Sequence, residues 1–107
     1  GRVVFEAIPT EAVYNPLGSV HGGWTATLLD SACACAVHSM LDPGQAYTTL
    51  ELKTVFHRAL KAGTPVRAEG RIVQMGRRAA FSEADLRGTD GKLYATATST
   101  CLVMTPV

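Results

Sequence analysis

No polycationic stretch occurs in this chain. Its longest basic run is the pair Arg77-Arg78, and the formal net charge is +1 over 107 residues. Nucleic-acid binding through a basic footprint therefore has nothing to work with, because neutralising phosphates needs clustered Lys and Arg. Cysteine is scarce as well. Cys33, Cys35 and Cys101 are odd in number and lack CxxC spacing, which excludes a disulfide scaffold. They read as small buried hydrophobes in a reducing compartment, which places the chain in the cytoplasm. Three histidines, His21, His38 and His57, fall on separate segments without ligand spacing, so no metal site is expected. No GxSxG nucleophile elbow is present, which removes the α/β-hydrolase route to ester chemistry. Long hydrophobic runs are also missing. The stretch from Gly23 to Leu41 has the length of a membrane span but contains Asp30 and His38, and a mid-bilayer carboxylate costs at least ~2.5 kcal/mol. No membrane association is expected, and no secretory leader is visible ahead of the strand-like residues that follow Gly1.

What is present is ordinary globular composition, 47% hydrophobic and 18% charged, in a length that suits one domain spanning residues 1–107. Arg2 to Ile8 is a β-branched and aromatic run stopped by Pro9, hence a strand. Pro9 to Ser19 carries turn residues. A helix is expected from about Gly22 to Leu41, ended by Asp42-Pro43-Gly44. Four strand-like runs follow, 47–59, 65–75, 78–86 and 92–104, and the last break contains the hairpin dipeptide Asp90-Gly91. Such short connections predict an antiparallel meander. One helix and one sheet must bury their apolar faces against each other, giving an α+β domain of two layers.

At 100° per residue the helix separates into two faces. Leu29, Ala32, Cys33, Ala36 and Met40 share one side, a slim core face that whatever covers it can approach closely. Thr27, Asp30, Ser31, Ala34 and His38 form a strip on the other. Asp30 is the one carboxylate in this segment, and from spacing alone a solvated strip residue and a functional acid are equally good readings.

Asn15, His21-Gly22-Gly23 and Asp30 stand in a register that resembles the hotdog-fold acyl-CoA thioesterases of the phenylacetate-degradation (PaaI-type) group. The pattern Gly63, Gly76-Arg77-Arg78, Asp90-Gly91-Lys92-Leu93 and Ala95 extends that similarity over nearly the whole chain. The resemblance implies one long central helix wrapped by an antiparallel sheet of about five to six strands. It also implies a homodimer that forms two active sites at its interface. The mixed outer sheet face further suggests pairing of dimers into a homotetramer.

The implied chemistry is hydrolysis of an acyl-CoA thioester without metal or organic cofactor. The Gly22 N–H, at a helix start where amides lack intrahelical partners, would donate to the oxyanion. Asp30 would act as general base or as nucleophile. Asn15 would orient substrate or water, although Asn beside Pro16 is also a good turn former. Thr49 would hold the catalytic water or carboxylate, with Thr48 beside it and only one of the two facing the site. His21 and Gly23 belong to the substrate-binding loop, a loop-anchoring role for His21 being at least as good as proton transfer. Gly76, Arg77 and Arg78 would meet the phosphates of coenzyme A, with His57 and Arg58 as weaker candidates. Two alternatives remain open: a hotdog dehydratase or hydratase using His21 with Asp30, and a non-catalytic acyl-CoA-binding hotdog domain.

Overall fold

The computed structural model describes residues 1–106. Five strands and one long helix run in the order β1 (Arg2–Ala7), α1 (Gly22–His38), β2 (Ala46–Phe56), β3 (Val66–Met75), β4 (Ala79–Gly88) and β5 (Leu93–Met104). The sheet is antiparallel with strand order β1-β3-β4-β5-β2. It is therefore not the simple meander that the short connections predict. β3, β4 and β5 do follow one another through hairpins, but β2 pairs with β5 and β1 with β3. The residues between β2 and β3 cannot turn back as a hairpin. They run past the start of the helix instead, where Leu60 O accepts from Val20 N at 2.9 Å and Tyr14 Oη accepts from Ala62 N at 2.9 Å. These bonds satisfy backbone groups that a buried loop would otherwise strand.

The helix lies across the inner face. Leu29, Ala32, Cys33, Ala36 and Val37 are fully buried against Val66, Ala68, Ala84, Leu86, Ala95, Ala97, Cys101 and Val103 from β3, β4 and β5. The slim core face does permit a close approach. At Gly70 on β3 a Cβ would be driven into the Ala32 carbonyl, and would sit 3.1 Å from the Ala32 Cβ. α1 ends at His38, not Leu41, with Ser39 as C-cap. Met40 is consequently outside the helix and 48% exposed rather than part of the core face. Burial pushes the Cys33 thiol up to about 11, so it stays a protonated packing group.

On the outer face Arg71 reaches Glu83 at 2.9 Å and Asp85 at 3.5 Å, and Arg2 reaches Glu69 at 3.1 Å. Half-exposed pairs of this kind contribute about 1 kcal/mol or less each. Phe81 and Val73 stand exposed among them, so that face is mixed, as expected. β2 forms one edge of the sheet. It is 11 residues long, with Leu50 62% and Phe56 57% exposed. No described helix is long and apolar enough to cross a membrane.

Candidate active site

The loop before the helix is built around Asn15. Its Oδ1 accepts from Leu17 N at 3.0 Å and Ser19 N at 3.2 Å, while its Nδ2 donates to Ser19 Oγ at 3.2 Å. The side-chain carbonyl is thus committed to the turn, as the turn-former reading expects. What Asn15 still offers is the second Nδ2 hydrogen.

His21 is the N-cap of α1, and its Nδ1 accepts from Gly23 N at 2.8 Å. This contact divides the labour of the two glycines. The Gly23 amide is spent on the cap, whereas the Gly22 amide, at the first helical position, has no intrahelical acceptor. Gly22 lines a cleft of about 430 Å³ together with Asn15, Ser19, Thr25, Phe56, His57 and Arg58. The Phe56 ring lies over it, so that a Cβ on Gly22 would meet Phe56 Cζ at 2.9 Å.

Asp30 sits two turns further along, about 12 Å at 1.5 Å per residue. It is half-buried and lines a different cleft, of about 580 Å³, with Ser31, Ala34, Cys35, His38, Tyr47, Thr48 and Thr49 among its walls. Four members of the polar helix strip (Asp30, Ser31, Ala34 and His38) therefore border one hollow. Thr49 is the inward-facing member of the threonine pair. Its Oγ1 donates to Asp30 Oδ1 at 3.5 Å, while Thr48 is exposed. The His38 and Tyr47 rings meet at 5.2 Å, and burial raises the Tyr47 phenol above its ordinary value, keeping it a donor.

Gly76, Arg77 and Arg78 lie elsewhere, at the β3–β4 hairpin, and Arg77 and Arg78 border a third hollow with Val103, Met104 and Thr105. Neither arginine has an ion-pair partner among the described residues. Val103 pairs with Tyr47 on β2 and its N–H donates to Arg78 O at 2.8 Å. The hairpin is thus about two strand spacings, ~10 Å, from the rim of the Asp30 cleft.

The model of the thioesterase superfamily matches residues 17–95. The chain belongs to that superfamily. Acyl-coenzyme A thioesterase 13 of Mus musculus is 30% identical over 88% of this chain and 67% of its own length. A Caenorhabditis elegans relative is 32% identical, and there the chain spans only 56% of the relative's length. Among solved structures, a phenylacetic acid degradation-related protein from Ralstonia eutropha superimposes with a TM-score of 0.87 at 36% identity, over 94% of this chain and 75% of that one. A Streptococcus pneumoniae protein solved with coenzyme A gives a TM-score of 0.90 at 27% identity, over 98% and 80% of the two chains.

In this thioesterase-superfamily chain, two features lie nearer the candidate site residues than local sequence shows. His57 and Arg58 share the Gly22 cleft, which makes them nearer neighbours of the helix start than the hairpin arginines are. Cys101, read only as a core filler, has its Sγ 3.8 Å from Thr49 Oγ1. Both placements come from the pairing of β2 with β5, which nothing in the local sequence encodes.

Proposed function

We propose that this chain hydrolyses acyl-CoA thioesters at sites assembled between two copies of itself. The observation that carries the reading is the separation of Gly22 and Asp30 into two clefts of one chain. A thioester carbonyl must touch donor and base together, and about 12 Å along one helix is too far. A second copy removes the distance. β2 is a long open edge, the kind of surface that recruits another strand. Thr49 lies against Asp30 and Phe56 against Gly22. An antiparallel pairing of β2 with its own copy, centred on Leu52 or Lys53, carries Thr49 of one chain opposite Val55 or His57 of the other, the two neighbours of Phe56. The same two-fold falls near Ala26, midway between Gly22 and Asp30 on α1. Strand and helix thus give one consistent axis, and each site takes a Gly22 amide from one chain and an Asp30 carboxylate from the other.

In that site the Gly22 N–H stabilises the oxyanion, a contribution of ~3 kcal/mol. Asp30 either takes a proton from the attacking water or attacks the carbonyl itself, the resulting anhydride then being hydrolysed. The carbon–sulfur bond breaks and coenzyme A leaves as a thiolate. A thiolate is a far better leaving group than an alkoxide, the cysteine thiol itself having a pKa of about 8.5, so the leaving group needs little acid assistance and no histidine dyad. His21, with Nδ1 committed to the cap, is poorly placed for the dehydratase alternative. Arg77 and Arg78, which have no ion-pair partner among the described residues, are suited to the coenzyme's phosphates, and Arg58 lines the Gly22 cleft. Exposed Phe81 and Val73 on the outer face provide a surface on which dimers would pair into a tetramer.

Thiol release from aryl, short, medium and long acyl-CoA thioesters tests the reaction class. Catalytic release from at least one class is expected. Tight binding of these thioesters with no release of thiol would make the chain an acyl-CoA-binding domain. Consumption of an enoyl thioester with the thioester bond intact would make it a hydratase.

A further inference from the structure

Asp30 Oδ1, Thr49 Oγ1 and Cys101 Sγ form a line, with contacts of 3.5 Å and 3.8 Å. Each contact has only one workable direction. An ionised carboxylate accepts and cannot donate, so the Thr49 hydroxyl proton points to Asp30. With that proton committed, Thr49 Oγ1 can only accept from its other neighbour, and the thiol must supply the hydrogen. Cys101 is fully buried on the inner face of β5, where close packing holds its sulfur beside Thr49.

We propose that Cys101 is a positioning residue for Asp30: its S–H donates to Thr49, fixes the Thr49 proton on Asp30 Oδ1, and leaves Oδ2 as the oxygen that meets water or the thioester. The inference rests on the catalytic role of Asp30 proposed above, but the hydrogen-bond line itself does not. Without the thiol, the threonine hydroxyl is free to rotate, and Oδ1 loses its donor for part of the time. A lost donor disfavours the charged carboxylate and moves its titration to higher pH. Other titratable groups around Asp30 are Cys33, Cys35 and His38 on its own helix and Tyr47 on β2. No residue of β1, β3 or β4 and no Lys or Arg lines the Asp30 cleft among the described residues. Removing Cys101 therefore deletes one donor from the line without deleting a charge.

Cys101→Ala, Cys101→Ser and Thr49→Val, followed by carbon-13 NMR of the Asp30 carboxyl through a pH series, test the line directly and need no substrate. Cys101→Ala and Thr49→Val should each raise the Asp30 midpoint, and the serine hydroxyl should restore it. Adding Cys101→Ala to Thr49→Val should shift nothing further, because the relay is already cut. In kinetics, Cys101→Ala should lower kcat about three- to tenfold at unchanged KM, the size of one hydrogen bond, with Cys101→Ser near wild type. Equal midpoints in wild type and Cys101→Ala, or an undiminished Cys101→Ala effect in the Thr49→Val background, would overturn the proposal. Midpoints that move as expected in a chain without thioesterase activity would keep the relay and overturn the hydrolase reading instead.

Discussion

Asp30→Asn should lower kcat by a factor on the order of 10² or more while leaving fold and ligand affinity intact. Asparagine has nearly the same shape, and its Oδ1 still accepts from Thr49, so the 3.5 Å contact survives. What disappears is the ability to take a proton or to attack a carbonyl. Asp30 is half-buried on a helix face that it shares with Ser31, Ala34 and His38, so the isosteric change creates no cavity and breaks no ion pair among the described residues. Steady-state kinetics on the best thioester, alongside a thermal melt, separates the outcomes. An unchanged melting temperature with a large loss of kcat supports the assignment. A loss well under tenfold is what a solvated strip residue gives and would remove Asp30 from the chemistry.

Gly70→Ala should be the most destabilising single-methyl addition in the molecule, by about 3 kcal/mol or more. The clash is with the carbonyl carbon and oxygen of Ala32 rather than with a flexible side-chain tip. Neither a rotamer change nor a small shift of one residue relieves it. The helix must lift away from β3, and the contacts of Ala32, Cys33 and Ala36 with the sheet loosen with it. Gly44→Ala makes a useful contrast. No atom lies within 4 Å of its Cβ position, and its strain comes only from a φ of +85°, so it should cost nearer 1 kcal/mol. Denaturant melts of the two variants check this. Similar midpoints for both would mean that α1 does not rest on β3 as described.

The helix was legible in the sequence because its two faces differ in kind. Leu29, Ala32, Cys33 and Ala36 are buried and Thr27, Asp30, Ser31, Ala34 and His38 are not, a pattern that depends only on local periodicity. Its end was less legible. Ser39 and Met40 continue the apolar and small-residue composition, yet the last turn closes at His38. Hairpins at Gly76-Arg77-Arg78 and at Thr89-Asp90-Gly91 were visible as turn chemistry, and Gly91 adopts the positive φ expected of it. Strand order was not visible. Placing β2 beside β5 depends on contacts some fifty residues apart, such as Thr49 with Cys101, and no local signal reports such pairing. The neighbours that the candidate site gains in the fold come from that same long-range pairing. Arg58 and Cys101 gain their neighbours through β5, whereas the separation of Gly22 from Asp30 is set by their eight-residue spacing on one helix, which the sequence does show.

Mixing two inactive variants tests the shared site most directly. Asp30→Asn lacks the base, and Gly22→Val blocks the helix start, where even a Cβ enters the space of the Phe56 ring tip. Each alone should be nearly inactive. After subunit exchange at equal concentrations, half of the dimers are mixed. Each mixed dimer has one site with both lesions and one with neither, so activity should return to about a quarter of wild type. Verified exchange with activity still at the level of the separate variants would put the Gly22 donor and the Asp30 carboxylate of each site on the same chain and contradict the account.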